Sequence, residues 1–318
     1  MEKYLKLLKS AKKVALFSHE NPDPDTIGST LALALILKKM GKQVALFCET
    51  EISENYYFLS DANDYNTVNF DDSFDLAVAV DVADSSMLGK FEQHFISHPN
   101  TLRIDHHVSG KYFAKENKVD GVSACSLLIF EIAKKFHQKI DSEIATRLYF
   151  AICGDTGIFR NNNTDAVTFD VCSKLFKAGA DFRKIYTEFF DKKTVSYVKM
   201  SSSVLLNAKT NEKIGYAILT ASASDYKTFG MSENDNLGNL PNTYLNCGYK
   251  IAVILKEKED GVHVSFRSKF EYDVSKIAEA FGGGGHKNAS GAKLETTLED
   301  ATKQIQKAIE KYLMEGVC

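Results

Sequence analysis

Four short stretches of this chain set carboxylates and imidazoles against apolar surroundings, a combination suited to holding metal ions. They are the loop from His19 through Pro22, Asp23 and Pro24 to Asp25, the isolated Asp81, Asp105-His106-His107, and Gly154-Asp155-Thr156-Gly157. Carboxylates held close together repel one another unless cations neutralise them. Oxygen donors mixed with imidazole suit manganese, iron or magnesium better than structural zinc, which favours thiolate. Pro22 and Pro24 stiffen the first loop. Read locally, that loop is only a helix cap, with Asp25 or Thr26 capping a helix from Ile27. Asp81 ends an apolar run, where a carboxylate is costly unless paired, capping or metal-bound; Asp84 is the better cap candidate. In Asp105-His106-His107, strand alternation sends the two histidines to opposite sides, so one can ligate metal while the other meets substrate. The plain alternative is a pair of surface histidines. Asp155 supplies a last carboxylate or simply marks a turn. The donor count fits two ions about 3.5–4 Å apart, an arrangement that hydrolyses phosphoesters without a covalent protein intermediate.

A second constellation lies near the other end of the chain. Gly282-Gly283-Gly284-Gly285-His286 lets backbone approach a ligand closely and present N–H groups to an anion. It has neither the Lys-Ser/Thr ending of a phosphate-binding P-loop nor the spacing of a dinucleotide fingerprint. In VHVSFR, Val264 and Phe266 face one side of a strand and Ser265 and Arg267 the other. Arg267 is either a solvated strand residue or, with His286, a phosphate clamp.

The elements that must position these residues follow from periodicity. Apolar strands are expected at 14–18, 43–49, 75–83 and 101–107, and helices at 27–41, 126–137 and 142–155. Continuous apolar strands alternating with helices predict a mainly parallel sheet covered on both faces, an α/β fold. Each cluster then stands where an apolar segment ends, so all four converge on one crevice. Beyond residue 188 the pattern changes. A helix-compatible polar stretch (191–210), a strand (213–222), a hairpin around Asp260-Gly261 and a C-terminal amphipathic helix (298–314) indicate a second, smaller α/β domain across a cleft. The expected division is 1–188, a linker at 189–206, and 207–318.

With 44% hydrophobic and 25% charged residues over 318 positions, the composition is that of an ordinary globular protein. A formal net charge of -3 provides no global basic field for long nucleic acid, so an anionic substrate would be short and held by local groups. Cys48, Cys125, Cys153, Cys172, Cys247 and Cys318 show no Cys-x-x-Cys pairing, which points to reduced thiols in the cytoplasm. The N-terminal residues read as an amphipathic helix without a signal peptide's apolar core, and no apolar run reaches membrane-span length.

In order and combination, SHENPDPDTIGS, Asp81, DHH, GDTG, SFRSK and GGGGHKNASG resemble the DHH phosphoesterases. More narrowly, they resemble the subfamily with a DHH-associated C-terminal domain that includes NrnA-type nanoRNases and adenosine 3′,5′-bisphosphate phosphatases. The resemblance spans nearly the whole chain. It implies that His19, Asp23 and Asp81 hold one metal and that Asp25, Asp81, His106 and Asp155 hold the other, with Asp81 as bridge. Asp105 would support the adjacent histidines, and His107 would contact the scissile phosphate and assist the leaving oxygen. Arg267, Gly283, Gly284 and His286 would hold the far phosphate or base, with Arg160 a further phosphate-binding candidate. Thr26 stands where the family commonly has a small residue, and Ser290 where alanine is usual; neither departure touches catalysis, and both leave fine substrate preference open.

The expected activity is metal-dependent hydrolysis, with two divalent ions, manganese first and magnesium or iron as alternatives. The expected substrates are RNA or DNA oligonucleotides of about two to five residues. Removal of the 3′-phosphate of adenosine 3′,5′-bisphosphate is a related expectation, and a homodimer is the expected assembly. The alternatives are a cyclic-dinucleotide phosphodiesterase, an inorganic pyrophosphatase (against which the glycine-histidine stretch argues), and a non-catalytic nucleotide sensor, which would have lost metal ligands.

Overall fold

The fold is described from a computed structural model. The described residues are 2–66, 73–108, 110–233, 235 and 237–314, so Cys318 lies outside them. The chain forms two compact units, Met1–Lys192 and Lys193–Cys318.

The first unit is built on strands β1 (Lys13–Phe17), β2 (Gln43–Phe47), β3 (Tyr65–Asn66), β4 (Leu76–Val80), β5 (Thr101–Asp105) and β6 (Glu116–Val119). They pair in the order β3-β2-β1-β4-β5-β6, and every pairing is parallel. Alternate residues feed two cores. Val14, Leu16, Val78, Val80, Leu102 and Ile104 bury into one face. Ala15, Phe17, Ala77 and Ala79 bury into the other, against Phe91 and Phe95. This explains the unbroken apolar runs: a strand covered on both faces has no polar side to show.

The first unit's helices are α1 (Lys3–Ser10), α2 (Pro24–Lys39), α3 (Glu92–Ser97), α4 (Cys125–Lys135), α5 (Ser142–Asp155), α6 (Ala166–Lys177) and α7 (Phe182–Ile185). Helix α2 begins three residues earlier than its apolar pattern suggests. Asp23 is its N-cap and Pro24 opens it, so neither Asp25 nor Thr26 is the cap. Proline suits that first position because its missing N–H has no partner there in any helix. The order of the strands decides where a ligand can enter. From β1 the chain moves outward through β2 and β3, then returns to β4 on the other side of β1. The carboxyl ends of β1 and β4 therefore flank a topological switch point, where α/β sheets bind ligands.

In the second unit, α8 (Val195–Leu206) precedes β7 (Lys209–Asn211), β8 (Tyr216–Ala221), α9 (Ala223–Phe229), α10 (Pro241–Asn246), β9 (Ile251–Lys258) and β10 (Gly261–Ser268). Helix α11 (Ser275–Glu279), β11 (Gly284–His286), β12 (Ala289–Leu294) and α12 (Leu298–Met314) complete it. The sheet order is β11-β12-β10-β9-β8-β7, with only β8 and β9 parallel. Much of the stretch expected as a linker, 189–206, is not one. Met200 and Val204 of α8 are buried in a core with Leu219 and Ile254, which makes this helix part of the second unit. Among the described residues no helix is long and apolar enough to cross a membrane.

One close approach in the first unit bears directly on the site. A Cβ at Gly154 would stand 2.4 Å from Pro24 Cβ, so only glycine lets the end of α5 meet the start of α2. Gly154→Ala is expected to force these helices apart, at a cost of about 1–3 kcal/mol. The measurement is the thermal midpoint by circular dichroism; an unchanged midpoint would mean the contact is not tight.

Candidate active site

The four acidic clusters arrive at one place by separate routes. His19 follows β1, Asp81 follows β4, and Asp105 is the last residue of β5, while Asp23 and Asp25 open α2 and Asp155 closes α5. Asp81 is central among them. Its amide donates to Ile104 O at 2.9 Å, extending the sheet by one bond, and its backbone then turns into the left-handed region at φ 60°. Such a conformation is uncommon outside glycine, though aspartate tolerates it better than most residues.

Among the described residues three groups form, each with its ligating atoms within 4.8 Å of one another: His19, Asp23 and Asp81; Asp25, His106 and Asp155; and Asp81, Asp105, His106 and His107. His106 Nε2 lies 3.5 Å from Asp81 Oδ1, 3.5 Å from Asp155 Oδ2 and 3.9 Å from Asp25 Oδ2. Arg160, by contrast, turns back on its own loop and donates from Nε to Gly157 O at 2.8 Å.

The two histidines do not diverge as strand alternation predicts. The extended segment ends at Asp105, and the rings of His106 and His107 then lie side by side, centroids 4.3 Å apart. Asp105 is the reason. Its Oδ1 accepts from the amides of His106 (2.8 Å) and His107 (3.2 Å) and from His107 Nδ1 (2.8 Å), curling the chain around one carboxylate.

The electrostatics of the cluster suit a cation. Burial, then repulsion from Asp81, Asp155 and Asp23, pushes the Asp25 carboxyl well up. Burial, then Asp23, raises Asp81, and Asp155 is pushed up to about 6, mainly by burial. Asp81 Oδ1 is buried without a hydrogen-bond partner. Thr26 Oγ1 meets three acceptor-capable atoms at once, Asp81 Oδ2 at 2.7 Å, His19 Nε2 at 2.8 Å and Asp23 Oδ1 at 3.1 Å. One hydroxyl proton cannot serve them all. The residues present thus fit divalent cations: hard oxygen donors with imidazole, and an orphaned buried carboxylate oxygen among them. His107 is raised as well, which for an imidazole favours the charged form. Its bond to Asp105, outweighing burial, lifts it to about 9.

Several contributors carry no signal in the sequence. Ser29 Oγ donates to Asp25 Oδ1 at 2.7 Å, and the amide of Cys125, at the start of α4, donates to Asp25 Oδ2 at 2.6 Å. Asn163 Nδ2 donates to Asp155 O at 3.2 Å. Arg103, fully buried on β5, pairs with Asp105. A charged residue inside the apolar run Leu102-Arg103-Ile104 was the one available hint.

In the second unit, β10 alternates as its sequence suggests, with Val264 and Phe266 buried and Ser265 and Arg267 on the more open side. The glycine-rich stretch is not a free loop. Gly284–His286 forms an edge strand on β12, and a Cβ at Gly283 would stand 2.1 Å from Gly291 O. Register puts His286 opposite Ala289, and Ala289 opposite Arg267. His286 and Arg267 therefore share one face across two strand spacings, with small residues between them. Lys256, opposite His263 on that same face, has its pKa lowered by burial and by its neighbours Lys258 and Arg267.

Comparison with known proteins agrees with this architecture. Residues 13–152 match the DHH family, N-terminal domain, and residues 226–315 match the DHHA1 domain. The chain is 25% identical to the Bacillus subtilis bifunctional oligoribonuclease and PAP phosphatase NrnA, covering 88% of this chain and 89% of that protein. It is 27% identical to the protein of the same description from Thermus thermophilus, covering 94% and 90%. The solved structure of an exopolyphosphatase-related protein from Bacteroides fragilis shares the fold, with a TM-score of 0.92 at 24% identity over 98% of this chain and 96% of that one.

A pH dependence follows from the shifts. Asp155 binds its proton up to about pH 6 when folded and only to the ordinary carboxylate value of 3.8 when unfolded. Asp25 and Asp81 are shifted in the same direction. Between these values the folded state holds more protons, so stability falls as pH rises. His107, raised from 6.5 to about 9, extends the fall over that range. In chelator, the thermal midpoint should therefore drop from pH 5 to pH 8, and a divalent cation should remove most of the drop. A midpoint that rises with pH in chelator would contradict this electrostatic reading.

Proposed function

We propose that this chain, which belongs to the DHH family and is a hydrolytic phosphoesterase, cleaves short oligonucleotides to mononucleotides and also removes the 3′-phosphate of adenosine 3′,5′-bisphosphate. The observation that carries the reading is Asp81, a buried carboxylate with an orphaned oxygen standing between two separate sets of donors. His19, Asp23 and Asp81 would hold one divalent cation, and Asp25, Asp81, His106 and Asp155 a second. When bound, such cations supply electrophilic stabilisation to a phosphate and ease the ionisation of water. Manganese is the proposed metal.

The chain's own residues supply the rest. Asp105 orients the His107 ring through Nδ1, and His107 Nε2 is the atom proposed to pass a proton to the leaving oxygen. In the second unit, Arg267 and His286 would hold a phosphate or base over the small residues Ala289, Gly284 and Gly291, where side chains leave room for a ligand to approach the sheet. Lys256, with only cationic neighbours among the charges that shift it, adds to the attraction for an anion there. The short substrate fits a chain of formal charge -3, which has local basic groups and no long basic track. Exonucleolytic release and a cytoplasmic location complete the proposal. The free, buried thiols of Cys48, Cys125, Cys153 and Cys172 suit a reducing compartment.

The test is turnover with manganese on linear dinucleotides, five-residue oligonucleotides, cyclic dinucleotides, adenosine 3′,5′-bisphosphate and pyrophosphate. The linear oligonucleotides and the bisphosphate should be hydrolysed; preference for pyrophosphate or cyclic dinucleotides would overturn the substrate assignment. Asp81→Asn should lower kcat by about a thousandfold or more, and an active variant would remove Asp81 from the centre. Arg267→Ala and His286→Ala should raise KM by about tenfold with kcat little changed. A pure kcat loss would contradict the binding role.

A further inference from the structure

Arg103 is the least expected residue in the first unit: a guanidinium with no exposed surface, on the strand next to the edge of a parallel sheet. A buried cation is costly unless it is paired and its donors are satisfied. Leu102 and Ile104 enter the helix-covered core, so Arg103 and Asp105 share the opposite face of β5. There Arg103 forms an ion pair with Asp105. Its other bonds all go to backbone. Nε donates to Val82 O at 2.7 Å, Nη1 to Lys111 O at 2.8 Å and Nη2 to His107 O at 3.2 Å. The guanidinium also lies 5.5 Å from the centre of the Phe113 ring.

These acceptors are not scattered. Val82 follows Asp81 directly, and His107 and Lys111 belong to the segment that leaves β5. The two segments are further tied by the Lys111 amide, which donates to Ala83 O at 3.0 Å. Gly110 packs so closely that a Cβ there would lie 2.3 Å from Arg103 Nη2 and 2.4 Å from Ala83 O. By engaging Asp105 Oδ2, Arg103 leaves Oδ1 for the His106 and His107 amides and for the His107 ring.

We propose that Arg103 is the positioning residue of this centre: its guanidinium fixes the segments carrying Asp81 and His107 relative to each other and, through Asp105, sets the orientation of the His107 imidazole. The inference rests on the phosphoesterase reading above. It assigns to Arg103 no contact with substrate. Lysine cannot take its place, because one ammonium on a flexible stem cannot reach four acceptors in a fixed fork.

The experiment compares wild type with Arg103→Lys, Gly110→Ala and Asp105→Asn, and with the Arg103→Lys/Asp105→Asn double variant. Each is assayed on a linear dinucleotide with manganese. Arg103→Lys should lower kcat by about a hundredfold, the scale of a small misplacement of reacting groups, with KM within about threefold. Gly110→Ala, whose methyl would press on both the guanidinium and Ala83 O, should lower kcat in the same manner if the lysine variant fails to fold. The double variant should lose less than the two single losses combined, as expected of residues that act partly in one chain. Wild-type kcat in both Arg103→Lys and Gly110→Ala, or fully additive losses in the double variant, would overturn the proposal. A substrate-free readout separates it from the substrate assignment. The ¹⁵N shifts of the His107 ring should change in Arg103→Lys and in Gly110→Ala, and unchanged shifts would overturn Arg103's role. A wild-type protein that leaves the dinucleotide intact would count against the proposed substrate instead.

Discussion

Asp25, Asp81 and Asp155 are pressed into one space from which water is largely excluded, and their mutual repulsion is the constraint around which the first unit is arranged. Two buried carboxylates and a third that is partly buried cannot all ionise there without compensation. The fold offers some of it locally: Ser29 and the first amides of α4 for Asp25, Thr26 for Asp81, and Asn163 beside Asp155. What remains without a hydrogen bond is Asp81 Oδ1, faced by the His106 and His107 rings at 3.5 and 3.7 Å. The cluster therefore stores an unfavourable interaction that protons relieve at low pH and cations relieve at neutral pH.

Topology makes the crowding unavoidable. Because β1 neighbours β4 and β4 neighbours β5, the residues that follow those strands emerge side by side. Helix α2 returns to this edge with its N-terminus, and α5 ends there, held close by the glycine at 154. Asp23 and Asp25 thus come from one end of a helix and Asp155 from the opposite end of another. Asp105 and Arg103 then set the curl that brings both histidines toward Asp81. In the second unit the logic is simpler. An antiparallel β10 buries one face and leaves the other to Ser265, Arg267 and, across two strands, His286.

Much of this was readable from residue order. Parallel strands buried on both faces leave uninterrupted apolar runs, so β1, β2, β4 and β5 announce themselves, and the acidic residues that end those runs stand out. The short strands β3 and β6 did not, because two or four partly polar residues carry no periodic signal. Helix α2 begins earlier than its pattern because the cap and proline, and not hydrophobicity, set its first turn. The side-by-side histidines were invisible because they depend on three bonds to one carboxylate, a tertiary arrangement that strand alternation cannot anticipate. Helix α8 read as a connector because its buried positions, Met200, Ser201 and Val204, are few and one of them is polar. Arg103 shows the general limit. Its identity was plain, but its role lies in backbone carbonyls that no sequence pattern records.

The most direct test of a metal centre bridged by Asp81 is anomalous diffraction at the manganese edge from crystals soaked in that ion. Two peaks should flank the Asp81 carboxylate, one beside His19 and Asp23 and the other beside Asp25, His106 and Asp155. Strong peaks elsewhere, with none touching Asp81, would contradict the bridge.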